Sequence, residues 1–288
     1  MSSMLHALSL RLITLTRDYR WGGTALISLY LSIVSGIVVA LHYDHNEAFY
    51  SLTTIELVVP YGAFWRSLHY YSSQLFFLLL LVHLSTVLWK KSADMNRSAW
   101  VRLCLSLPCA ILLLFTGYVL RGDATGEAAG MIAEHICLSI PLVGDSINAL
   151  FFDLDASGLR KIYVHHLIGL VVLGGITVWP HLRKYRAAMH NHLVLILITL
   201  LLAALLHAPI EASRFGLLFI AGPWFFLGLQ ELLRSLPAFV AGVVIPLVPI
   251  VLLCALPRQG LWRKRFLLLI VLWLCAYAWF TWLCLQRV

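Results

Sequence analysis

A chain of 288 residues that is 61% hydrophobic and only 12% charged, with a mean hydropathy of +0.89, cannot close around one water-soluble core. Its formal charge of +8 suggests nucleic-acid binding only until the charges are placed along the chain. They sit in the loops between apolar runs, the pattern of a membrane topology, and the fold expected is an all-α polytopic membrane protein.

In chain order, about twenty residues carrying Arg11, Arg17 and Arg20 precede the first apolar run and show no cleavable signal pattern. Spans are then expected at 24–42, 64–89, 101–120, 163–179, 190–206, 238–256 and 266–285, seven in all. The purely apolar part of the fifth is short. Another apolar run, 216–233, contains Gly222-Pro223 and Glu231 and suits a surface-lying or re-entrant segment better than a span. Of the 21 Lys and Arg, 14 fall on the side that holds the N-terminus: Arg11, Arg17, Arg20, Lys90, Lys91, Arg97, Arg102, Arg183, Lys184, Arg186, Arg258, Arg263, Lys264 and Arg265. That side has two acids, Asp18 and Asp94, whereas the other holds 11 of the 13, among them Asp44, Glu47, Asp123, Glu127, Asp153 and Glu231. Positive residues favour the cytoplasm, so the expected N-terminus is cytoplasmic, in an inner, cytoplasmic-type membrane. The long loops 121–162 and 209–237 then face outward.

Ionisable side chains inside a span are costly and point to function. The second span holds His69 and His83, fourteen residues apart, and the fourth holds His166 with His181 fifteen residues on. At about 1.5 Å and 100° per residue, each interval is roughly 21–22 Å and returns near the starting face. Two such helices side by side offer an outer imidazole pair, His69 and His166, and an inner pair, His83 and His181. Each suits a b-type haem, and an iron held by two imidazoles has no open position, which fits electron transfer. His165 is rotated roughly 100° from His166, off that face. His192 and His207 are also fifteen apart, but sit at the ends of the fifth span, where interfacial anchoring is expected. Gly22, Gly36 and Gly117 lie where a flat porphyrin can approach the backbone, and Arg66, one turn before His69, is placed to pair with an outer propionate. The six cysteines form no CxxC, CxxCH or zinc spacing, and five fall in spans as small hydrophobes.

The sequence resembles cytochrome b of the quinol-oxidising bc-type complexes over nearly its whole length. The resemblance is carried by Arg66-Ser-Leu-His69 with His83, Gly117-Tyr-Val-Leu120, Ile140-Pro-Leu-Val-Gly144, Trp224-Phe-Phe-Leu and Leu232-Leu-Arg234-Ser-Leu-Pro237. Seven spans and the fifteen-residue interval are similar to the b6f branch with its cytochrome b6 and subunit IV fused; the mitochondrial type has eight spans and fourteen residues in both intervals. The resemblance implies a four-helix diheme part, residues 1–186, followed by a three-helix part, 187–288. It also implies oxidation of a quinol, with menaquinol expected, at the outer face, and reduction of a quinone near the cytoplasm. The expected partners are a Rieske-type iron–sulfur protein, a c-type cytochrome with one or several haems, or both, in a homodimeric complex without nucleic acid. Arg186, five residues after His181, matches an arginine of that branch's inner quinone site, and Asp18 and His190 are further inner-face candidates.

The sequence also departs from the family. Its Pro-Glu-Trp-Tyr motif, whose Glu takes a proton from quinol, reads Gly222-Pro223-Trp224-Phe225 here, and the Pro-Trp motif after Gly-Tyr-Val-Leu is replaced by Arg121-Gly122-Asp123. The candidate replacement bases are Asp123, Glu127 and Glu231. The cysteine that holds the extra covalent haem of the b6f branch corresponds to Arg20, so no covalent haem is expected. A haem-packing glycine corresponds to Leu103, and an arginine after the second histidine to Thr86. The rival readings are a diheme conduit without outer-site quinol oxidation, a diheme anchor of a respiratory dehydrogenase or hydrogenase, and a non-redox scaffold or transporter. The Trp224–Pro237 pattern counts against the anchor.

Overall fold

A computed structural model describes residues 19–89, 95–154, 158–211, 220–257 and 259–287. Arg11, Arg17, Asp18, Lys90, Lys91, Asp94, Arg258 and the start of the 216–233 run lie outside the described residues. The described residues are helical or irregular, with no strand. In an apolar run destined for lipid the backbone must satisfy its own N–H and C=O groups, and the helix is the local way to do so. Among the described residues, five helices are long and apolar enough to cross a membrane: α1 (Trp21–Ala40), α3 (Gly62–Trp89), α4 (Arg97–Val119), α7 (Gly158–Lys184) and α11 (Leu261–Leu285). Two shorter apolar ones, Met189–Leu205 (α8 being its α-helical part, Leu193–Leu205) and Val240–Ala255 (α10 being Ile245–Ala255), lie where the fifth and sixth spans are expected. Between them lie α2 (Ala48–Leu57), α5 (Ala124–Leu138), α6 (Gly144–Phe151) and α9 (Leu227–Leu233). The protein is a multi-pass membrane protein.

The closest helix pairings are α1 on α3 and α4 on α7. Small side chains make the first possible: Ser28 and Ser35 of α1, and Ser67 and Ser72 of α3, are fully buried between helices. Ser35 and Ser72 return their hydroxyls to the carbonyls of Leu31 and Leu68, both at 2.6 Å, so close packing strands neither. Polar ties join the helix ends in two groups. At one end, the Arg97 guanidinium donates to Leu256 O (3.1 Å), Trp100 Nε1 to Leu253 O (2.7 Å) and Arg263 to Leu88 O (2.9 Å). At the other, Tyr43 donates to Leu120 O (2.6 Å) and Tyr163 to Ala40 O (3.2 Å). There Gly122, at φ +63°, turns the chain out of α4, and Asp123 caps α5 by accepting from Gly126 N at 3.0 Å.

Candidate metal centres and the outer cavity

The α1–α3 and α4–α7 pairs leave a slot into which the two histidine pairs project. The rings of His69 and His166 have centroids 6.1 Å apart, and those of His83 and His181 6.2 Å. An iron bound by imidazole nitrogens at roughly 2 Å on opposite sides needs ring centres about 6 Å apart. Both pairs therefore fit a six-coordinate haem. The outer imidazoles are also oriented from behind. His69 Nδ1 lies 2.8 Å from Ser32 O, and a carbonyl only accepts, so Nδ1 carries the proton and Nε2 keeps its lone pair for a metal. His166 Nδ1 lies 2.9 Å from Thr116 Oγ1, whose own proton goes to Leu112 O at 2.8 Å, so here too Nδ1 donates. In the inner pair, His181 packs on Tyr185, with centroids 4.8 Å apart.

The expected glycines sit against these rings. A Cβ on Gly36 would come within 2.8 Å of His69, one on Gly22 within 2.9 Å of His83, and one on Gly117 within 3.2 Å of His166. His165 faces elsewhere, its Nε2 3.1 Å from Leu150 O and its ring on Phe151. No cluster of three or more His, Cys, Asp or Glu side chains fit to hold a metal occurs among the described residues.

A cavity of about 300 Å³ surrounds the outer pair. Tyr70, Tyr118, Gln74, Arg66 and Arg121 line it beside His69 and His166. The Gly222–Phe225 turn reaches it: Trp224 Nε1 donates to Gln74 Oε1 at 2.8 Å, and the Phe225 ring lies 5.6 Å from that of Tyr118. Arg66 is buried, and its guanidinium is already engaged by Glu56 Oε2 at 2.6 Å and by the carbonyls of Ala208 and Pro209. Burial pushes the Glu56 carboxyl up, but hydrogen bonds from Arg66 and His207 outweigh it and hold the group below the usual glutamate value.

The three carboxylates singled out from sequence are placed differently from one another. Asp123 is buried, with Oδ1 accepting from Gly126 N and Oδ2 from the Arg121 guanidinium and Glu211 N. Glu231 is buried against the Arg287 fork, at 2.8–3.2 Å. Glu127 is exposed in the first turn of α5. At the other end of the bundle Arg186 and His190 are exposed. His192, expected at the interface, is instead buried against Gly23, with Nδ1 3.4 Å from Thr24 Oγ1. The Gly22-Gly23 pair is the sequence signal that leaves room for it. Glu211, not singled out from sequence, joins Thr125, Arg121 and Asp123 at the cavity's outer rim.

Fold and imidazole geometry together define a helical membrane protein with two facing pairs of histidines in its bundle. The sequence model of the family Cytochrome b/b6/petB matches residues 11–189, and the chain belongs to that family. It is a cytochrome b subunit of a membrane quinol oxidoreductase and binds b-type haem. The cytochrome b6 of Heliobacterium mobile is 31% identical over 172 residues, covering 56% of this chain and 79% of that one. The cytochrome b of Cyanidium caldarium is 26% identical over 293 residues, covering 86% and 76%. A chain of a solved structure titled "Hyperthermophilic respiratory Complex III" superposes with a TM-score of 0.69 at 20% identity, covering 92% of this chain and 82% of that chain, and shares its fold.

Proposed function

We propose that the chain is a diheme cytochrome b that oxidises a quinol, menaquinol by preference, at its outer face, and serves a quinone at the cytoplasmic face. The observation that carries this reading is the pair of facing imidazole sets at 6.1 and 6.2 Å, both seated against glycine. His69 with His166 holds the outer group and His83 with His181 the inner one, both non-covalently. Haems held by these residues would supply a pair of electron carriers across the apolar core. Ser32 and Thr116 keep Nδ1 of the outer histidines protonated, which aims Nε2 and raises ligand basicity. Gly22, Gly36 and Gly117 allow the close approach. Arg66, Tyr70, Tyr118, Trp224 and Phe225 shape an apolar outer cleft for a quinol ring, which excludes bulk water and leaves few polar groups to orient it. Arg186 and His190 are the exposed cationic and titratable groups offered to a quinone at the inner face.

The layout that goes with this function is seven spans: a four-helix part, residues 1–186, and a three-helix part, 187–288. The N-terminus lies in the cytoplasm of an inner-type membrane. The partners are a Rieske-type iron–sulfur protein, a c-type cytochrome, or both, in a homodimeric complex. A second reading, a conduit that passes electrons without oxidising quinol outside, is favoured by the proline at 223 and by the saturation of Asp123 and Glu231. Haem content and quinol chemistry separate the readings. The purified complex is expected to contain two b-type haems per chain, and His69→Ala and His166→Ala to remove the same one. Loss of different haems would break the pairing. In sealed vesicles, quinol oxidation should release protons on the side of the acidic loops; electron flow without that release would favour the conduit.

A further inference from the structure

The outer cavity has proline where the family carries its proton-accepting glutamate, yet a quinol loses a proton from each hydroxyl as it is oxidised. Several described carboxylates packed around this face are already engaged. Both oxygens of Asp123 accept protein hydrogen bonds, those of Glu56 face Arg66 and His207, and Glu134 Oε1 accepts from Asn148 and from Leu154 N. Glu211 differs. Its side chain is 44% exposed, Oε2 accepts from Thr125, and Oε1 stands 3.7 Å from the Arg121 guanidinium, beyond hydrogen-bond distance.

Its position is fixed by the turn between α4 and α5. The Glu211 N–H donates to Asp123 Oδ2 at 3.1 Å, which pins the residue to the turn between α4 and α5. The Thr125 hydroxyl that meets the carboxylate also lies 3.3 Å from Ala221 O, two residues before Pro223. The carboxylate thus stands beside the backbone of the turn that lacks one. Arg121, its cationic neighbour, and Tyr118, close enough to feel its charge, both line the cavity around His69 and His166. Among the described residues, other charged groups near it are Asp123, reached through the backbone, and Arg66 with Glu56 and His207, which hold the loop just before it.

We propose that Glu211 is the proton acceptor of outer quinol oxidation, supplied by the neighbouring loop in place of the carboxylate absent at position 223. The inference rests on the outer-site reading above. In the step, a quinol O–H bond breaks and its proton passes to a free lone pair of the Glu211 carboxylate. One electron leaves for an external one-electron acceptor of the iron–sulfur or c-type cytochrome class, and the second would pass to the haem that His69 and His166 would hold. The half-exposed carboxylic acid releases its proton to the outer aqueous phase and takes the second one. Arg121 stands beside the carboxylate, 3.7 Å away, without capping it.

The test is Glu211→Gln in the assembled complex, an isosteric change that retains an oxygen for Thr125. A short-chain naphthoquinol serves as reductant, and haem reduction is followed across pH. In the native protein the rate should fall in acid as the base is protonated. Glu211→Gln should be slower by about a hundredfold, without that acid limb and with an unchanged dithionite-reduced spectrum. Quinol-induced infrared difference spectra should contain a protonated-carboxyl C=O band that the variant lacks. If Glu211→Gln loses haem, Glu211→Asp replaces it as the test: a carboxylate drawn back by one methylene should slow the reaction and keep the acid limb. A variant with native rate, pH profile and infrared band overturns this assignment alone. A native complex that naphthoquinol does not reduce at all takes down both this assignment and the outer-site reading.

Discussion

At the scale of single residues, the most demanding positions are the glycines behind the histidines. A Cβ at Gly36 would meet His69 at 2.8 Å and one at Gly22 would meet His83 at 2.9 Å, closer than real Cβ contacts come. Each ring is held between its glycine and its partner imidazole, so yielding to a Cβ means leaving the axis between the pair. Gly36→Val should therefore cost the proposed outer haem and Gly22→Val the inner one, each leaving one haem per chain in place of the proposed two. Haem-to-protein stoichiometry and the redox potential of the haem that remains distinguish the two variants. If both variants keep two haems, the close-approach argument is wrong. These residues were legible in the sequence for a physical reason. An imidazole or a bare backbone inside an apolar run has a cost, and its spacing along the helix maps directly onto depth.

At the scale of elements, legibility ends where the structure depends on contacts between distant segments. The fifteen-residue interval from His166 to His181 is one longer than that from His69 to His83, yet both pairs have nearly equal ring separations. The π-helical turn His165–Gly169 accounts for it: i→i+5 bonding widens that turn, and the extra residue is taken up where His166 must face His69. Hydrophobic periodicity does not mark such a turn. Nor does it mark the clamp in which Arg66, on α3, holds Glu56 and the carbonyls of Ala208 and Pro209, some 140 residues away, while Ser67 Oγ accepts from Ala208 N at 2.9 Å.

That clamp carries a pH dependence. Because the folded Glu56 carboxyl titrates below its unfolded value of about 4.5, its contribution is fully present above that pH and is lost as pH falls through the lowered folded value. Hydrogen exchange of the peptide containing Ala208, corrected for intrinsic rate, should lose protection only in that acid range. Glu56→Gln should lose it at neutral pH, by roughly a hundredfold, because a buried arginine stripped of its counter-charge costs about 3 kcal/mol. Unchanged protection in the variant would mean that hydrogen bonding alone holds the loop.

At the scale of the whole molecule, the open question is whether α8 crosses the membrane, since its thirteen α-helical residues give only about 20 Å against a hydrocarbon core of about 30 Å. Its ends answer in terms of the other helices. His192, just before α8, packs on Gly23 and Thr24 at the start of α1, whereas Ala208, just after it, is bound by Arg66 and Ser67 near the start of α3. The α1 start lies beside His83 and the α1 end beside His69, so those two anchoring points are at opposite ends of the bundle. The segment therefore runs its full height, with the 3₁₀ turn Met189–His192 and extended backbone from Leu206 adding the length that the α-helix lacks. Exposed aromatics mark both boundaries, Trp89, Trp179, Tyr185 and Trp262 at the basic end and Tyr50 and Tyr61 at the acidic one. Single cysteines introduced at Asp44, Asp145 and Ser235 should then react with a membrane-impermeant thiol reagent from the outside of intact cells. Cysteines at Arg186 and Arg265 should react only after permeabilisation. Ser235 is the decisive position, because it is exposed and lies between α9 and α10, downstream of α8. If it labels only in permeabilised cells, α8 turns back within the membrane, and the seven-span layout fails together with the placement of Glu211 on the quinol-oxidising side.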